Sequence, residues 1–125
     1  MNMDKQILII EDEPDIRDAM AEAVEEEGFR VSTAENGSVG LEKALAEKPD
    51  LILLDIVMPL MDGHETLKRL RQDTWGKTVK VIMLTSMDDV QNIGTAHEGN
   101  ITDYIIKAHS SLEDIVKKIK LVLVS

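Results

Sequence analysis

Cysteine is absent from all 125 residues, which removes disulfide bridges, thiolate nucleophiles and Cys-ligated metals from consideration. No apolar run approaches the roughly 20 residues that span a bilayer, and the chain reaches the acids Glu11 to Glu13 too early for a signal peptide. The expectation is a soluble, cytoplasmic protein with no membrane partner. Positive charge is scarce, with 14 Lys and Arg against 24 Asp and Glu and a formal net charge of -10. Phosphate backbones are bound by basic surfaces that release counterions, so direct contact with nucleic acid is not expected. No internal repeat, biased tract or linker-like stretch interrupts the chain, and its length suits one domain spanning 1–125.

Against these absences stand five short apolar runs: Ile7 to Ile10, Phe29 to Ala34, Leu51 to Leu54, Val79 to Leu84 and Ile101 to Ile106. Each is strand-sized and rich in Ile, Leu and Val, the composition of strands buried on both faces. Helical spacing lies between them. Ile16, Ala19, Met20, Ala23 and Val24 form one apolar stripe opposite Asp15, Asp18, Glu22 and Glu25. In the closing helix Leu112, Ile115, Val116, Ile119 and Leu123 face inward, with Lys117, Lys118 and Lys120 outward. Gly28 stands where the first helix should stop, and Asn36, Asp62, Asp88 and Ser110 or Ser111 stand where helices should start. Alternating strands and helices imply an α/β, doubly wound (βα)5 domain with a five-stranded parallel sheet. The chain stops within its fifth helix, so any output domain is expected outside it.

Open parallel sheets carry their sites beyond the carboxyl ends of the strands, where the strand order reverses. Glu11 and Asp12 follow the first strand, Asp55 the third, Thr85 the fourth and Lys107 the fifth. Carboxylates a few Å apart repel by roughly 4 kcal/mol per pair at an effective dielectric near 20, so such a cluster needs a cation or a proton. Hard oxygen donors without His or Cys suit Mg2+. Asp12 and Asp55 are the expected direct ligands, with Glu11 acting through water. A metal-neutralised carboxylate can attack phosphorus and form an acyl phosphate. Asp55 is the candidate nucleophile, with the Lys107 ammonium and the Thr85 hydroxyl placed to receive phosphoryl oxygens.

The stretches "ILIIEDEP", "LILLDIVMPLMDG", "VIMLTS" and "DYIIK" occur in that order, and over essentially its whole length the sequence resembles a receiver domain of two-component response regulators. The resemblance implies a flavodoxin-like fold with strand order 2-1-3-4-5, and a phosphorylation-activated switch rather than a conventional enzyme. Asp55 would accept a phosphoryl group from a sensor histidine kinase or phosphotransfer protein and lose it again by slow autodephosphorylation. Glu11 and Asp12 would form the acidic pair, and the Val57 carbonyl would complete the metal's protein ligands. Thr85 would shift toward the phosphoryl group and Tyr104 would turn inward behind it. The face made by the fourth helix, fifth strand and fifth helix would then change affinity for an effector or output domain, or for a second copy in a homodimer. Ala108 follows Lys107 where the family usually has Pro in a cis peptide, and the cis bond is expected to be retained.

Other features read more plainly. Glu13 and Asp15 suit the positive end of the first helix rather than a metal. His64, His97 and His109 lack ligand spacing and are expected in solvent, and Trp75 is expected to cap packing. Val57 and Met87 should flank the phosphoryl group with apolar bulk, consistent with slow hydrolysis. The helix around Val90, Asn92, Ile93, Gly94 and Thr95 should be the least stable. A flavin or nucleotide binder would want a Gly-, Ser- or Thr-rich phosphate loop after the first strand, where "EDEPD" stands instead. An Asp-nucleophile phosphatase would want a second acid two residues past Asp55, where Val57 stands. The remaining alternative is a receiver-like module that binds partners without phosphorylation.

Overall fold

The structure, a computed structural model, describes residues 4–85, 101–107 and 110–124. In chain order its elements are β1 (Gln6–Ile10), α1 (Pro14–Glu26), β2 (Arg30–Ala34), α2 (Gly37–Glu47), β3 (Leu51–Asp55), α3 (Gly63–Arg71), β4 (Lys80–Thr85), β5 (Asp103–Ile106) and α4 (Leu112–Leu123). This α4 is the closing helix expected as the fifth. The residues expected to form the helix before β5, Asp88, Met87 and the Lys107–Ala108 peptide lie outside the described residues, as do His97 and His109. No described helix is long and apolar enough to cross a membrane.

All four strand pairings are parallel, in the order β2-β1-β3-β4-β5. Because successive side chains on a strand point to opposite faces, each apolar run divides between two layers. Ile7, Ile9, Leu51, Leu53, Ile82 and Leu84 join α1 and α4 on one side. Leu8, Ile10, Ile52, Leu54, Val81 and Met83 join α2 and α3 on the other. A solid Ile/Leu/Val strand is therefore the sequence of a sheet covered twice, and β3 is buried at every position.

The helix ends follow from their residues. Asn36 accepts from the Val39 N–H, Asp62 from the Glu65 N–H, and Ser111 forms a reciprocal capping box with Asp114. Gly28 follows α1 at φ 95, a conformation that glycine adopts without a Cβ clash. Three expectations are corrected. Leu112, the first residue of α4, is 41% exposed and lines a groove with Ala23 and Glu27 of the α1 end, and Val122 is buried instead. In α1 the buried alanine is Ala21 and Ala23 is only half-buried. The fifth strand starts at Asp103 rather than Ile101, because Thr102 uses its hydroxyl to accept from the Val81 N–H at 3.1 Å. Trp75 packs half-buried against the second core cluster, as a packing cap should.

Candidate functional site

The strand order reverses between β1 and β3, and the carboxyl ends of β1, β3, β4 and β5 bring the expected residues to one edge. Glu11 follows β1 directly and is wholly buried, its N–H continuing the ladder to the Ala34 carbonyl at 3.1 Å. Asp55 ends β3 and Thr85 ends β4, at 3% and 1% exposure. Lys107 follows β5 and reaches back across the sheet. Its Nζ lies 2.9 Å from Glu11 Oε1 and 3.4 Å from Asp55 Oδ2. Asp12 is half-buried beside them, and one oxygen from each of Glu11, Asp12 and Asp55 falls within 4.8 Å of the others.

Gly63 makes this arrangement compact. A Cβ there would stand 2.4 Å from the Asp55 carbonyl oxygen, so any other residue would push α3 away from the end of β3. The loop that carries Glu11 and Asp12 has no side-chain cap, since α1 starts with Pro14 after Glu13. Arg17 holds it instead. Its Nη1 donates to the Glu11 carbonyl at 3.0 Å and reaches the Asp12 carbonyl at 3.5 Å. Arg17 was not singled out from the sequence, although one cation on a helix face bearing Asp15, Asp18 and Glu22 is a legible signal. Arg17→Met is expected to destabilise the protein by about 1–2 kcal/mol, the value of a charge-assisted hydrogen bond to a part-buried carbonyl. An unchanged urea midpoint would show that the contact contributes nothing.

One ammonium does not balance three carboxylates. Burial, reinforced by the hydrogen bond and negative charge of Glu11 and partly offset by Lys107, pushes the Asp55 carboxyl from 3.8 up to about 8. Burial pulls the Lys107 ammonium down, but the Glu11 hydrogen bond and the charges of Asp55 and Glu11 outweigh it and hold Lys107 above its ordinary range. Glu11 Oε2 is buried without a hydrogen-bond partner among the described residues, and such an orphan acceptor is costly unless a cation or donor meets it. Three converging carboxyl groups, one of them the Asp55 carboxyl pushed up to about 8, and an orphan oxygen on Glu11 together describe a site that could hold a metal ion, and an all-oxygen donor set fits Mg2+.

The other expected residues lie around this centre. Val57 opens the loop after β3 with its side chain 61% exposed, and Tyr104 on β5 is 37% exposed, facing out. Tyr104 and Leu121 line a groove of about 380 Å³ between β5 and α4. His64 is half-buried at the start of α3 rather than free in solvent.

Comparison with known proteins agrees with this geometry. Residues 7–120 match the family model of the response regulator receiver domain. The alkaline phosphatase synthesis transcriptional regulatory protein PhoP of Bacillus subtilis is 38% identical over 111 residues, which cover 89% of this chain and 45% of that protein. The transcriptional regulatory protein ResD of the same organism is 36% identical over 118 residues, 94% of this chain and 48% of that one. The chain thus spans about half the length of the curated relatives it matches. Among solved structures, the chemotaxis response regulator CheY4 of Vibrio cholerae superposes with a TM-score of 0.88 at 27% identity, covering 95% of this chain and 98% of that one. A CheY-like receiver domain protein of Methanospirillum hungatei gives 0.87 at 32% identity, covering 95% and 93%. The chain belongs to the receiver domains of two-component response regulators.

Proposed function

We propose that Asp55 is the phosphoacceptor of a Mg2+-dependent signalling switch, and that its donor is the phosphohistidine of a sensor kinase or phosphotransfer protein. The observation that carries this reading is the buried Asp55, crowded by Glu11, whose own Oε2 has no partner among the described residues. The carboxylates of Asp12 and Asp55, the Val57 carbonyl and Glu11 through water would hold the metal, which supplies positive charge for the ionised acids and the phosphoryl oxygens. Asp55 Oδ is the nucleophile once ionised, and no general base is required. Lys107, already drawn to Glu11 and Asp55, offers its ammonium to a phosphoryl oxygen. The buried Thr85 hydroxyl is the second donor. Tyr104 stands outward beside α4 and is the aromatic whose inward turn would remodel that face for an effector, an output domain or a second copy.

The test is intact mass after incubation with acetyl phosphate. Wild type is expected to gain one phosphoryl group with Mg2+ and none without it, and Asp55→Asn to gain none under either condition. A wild-type mass that never changes would leave the alternative, a module that binds partners without phosphorylation.

A further inference from the structure

The loop between β3 and α3 carries a side chain that the fold does not use. Leu60 is 99% exposed and sits at φ 71, in the left-handed region that side chains other than glycine seldom adopt. The Met61 N–H donates to the Pro59 carbonyl at 2.8 Å and closes a three-residue turn around Leu60. A γ-turn with positive φ at its centre is the rare, strained form. Glycine would relieve the strain, and a polar residue would suit the exposure. Leucine satisfies neither.

The turn is also held firmly. Pro59 fixes its own φ, and the Gly63 N–H returns to the Ile56 carbonyl at 2.8 Å. Met61 lies so close to Gly37 of α2 that a Cβ there would stand 2.8 Å from the Met61 carbonyl oxygen. An exposed apolar side chain on a rigid, strained support is a pre-organised contact, since little freedom remains to be lost on binding.

Position identifies the contact. Gly63, three residues beyond Leu60, packs on the Asp55 backbone, and three residues span at most about 11 Å. A specific protein interface covers about 800 Å² on each partner, a disc of roughly 16 Å radius. Leu60 therefore lies within reach of the contact surface of a protein that delivers a phosphoryl group to Asp55.

We infer that Leu60 is a docking anchor for the protein phosphodonor, seated in an apolar pocket beside the donor's phosphohistidine; this rests on Asp55 being the phosphoacceptor. In the transfer the donor's P–N bond breaks as the P–O bond to Asp55 forms. The imidazole nitrogen keeps the electron pair and takes a proton from water. Acetyl phosphate has no surface to dock, so it bypasses Leu60.

The test uses the autophosphorylated histidine kinase domain that, within a panel, phosphorylates wild type fastest. Leu60→Gly and Leu60→Ser are compared with wild type against that donor and against acetyl phosphate. Both variants are expected to accept phosphoryl from the protein donor about tenfold more slowly, the scale of a truncated interface anchor, with unchanged rates from acetyl phosphate. Only Leu60→Gly should melt at a higher temperature, because only it relieves the backbone. Undiminished transfer from the protein donor in both variants would overturn the anchor. So would unchanged transfer with lost self-association, which assigns Leu60 to a second copy. Wild type that acetyl phosphate fails to modify would instead overturn the phosphoacceptor reading.

Discussion

Asp55→Asn is expected to stabilise the metal-free protein, by an amount that grows with pH. Asn is close in shape to a protonated carboxyl and carries no charge, so it imitates the form that Asp55 already holds when burial and Glu11 push its pKa up to about 8. In the unfolded chain the same group ionises near its ordinary 3.8. Between those values the native state binds a proton that the unfolded state has released, so stability falls as pH rises, by about 1.4 kcal/mol per unit. The loss begins near pH 4 and is complete near pH 8, reaching on the order of 4 kcal/mol by pH 7. Asn lacks this loss. The two proteins should melt together near pH 4, and the variant should melt on the order of 10 °C higher at pH 7. Paired melting curves across that range in chelator decide it. A variant no more stable than wild type at pH 7 would mean that Asp55 is not crowded, and the electrostatic basis of the site would be lost.

Most of this site was legible because a parallel sheet turns sequence position into spatial position. Once the Ile/Leu/Val runs are taken as strands, the residue after each run must lie at one edge. Glu11, Asp55, Thr85 and Lys107 then converge without any knowledge of loop geometry. Caps were legible for a similar reason: Asn36, Asp62 and Ser111 act on N–H groups within three residues of themselves. What failed depends on relations that periodicity does not carry. Leu112 matches the inward stripe of α4 by angle, yet as the first residue of the helix it is 41% exposed while Val122 is buried, and angle alone does not record depth. Arg17 acts on backbone carbonyls, which no residue pattern records. Leu60 reads as one more apolar residue in "MPLMDG" until its φ and exposure are known. The orphan oxygen of Glu11 is likewise a matter of which lone pairs find donors, and only a three-dimensional arrangement answers that.

The same proton that stabilises the metal-free site should compete with the metal. A divalent cation needs the Asp55 carboxylate ionised, and below about pH 8 the native protein keeps that group protonated, so binding must expel a proton. Apparent Mg2+ affinity is therefore expected to fall about tenfold for each pH unit below 8, roughly a hundredfold between pH 8 and pH 6. Lys107 lowers the affinity evenly across this range without adding to the pH dependence, since its ammonium, held above its ordinary range, stays charged and already occupies Glu11 Oε1. Calorimetric titrations at pH 6 and pH 8, each in two buffers of different ionisation enthalpy, measure the affinity and the proton release together. Close to one proton per Mg2+ at pH 6 and far fewer above pH 8 is the expected pattern. Saturating Mg2+ should also flatten the decline in stability between pH 4 and pH 8, because the cation then takes over the neutralising role of the proton. Equal affinities at the two pH values with no proton released would place the metal away from Asp55.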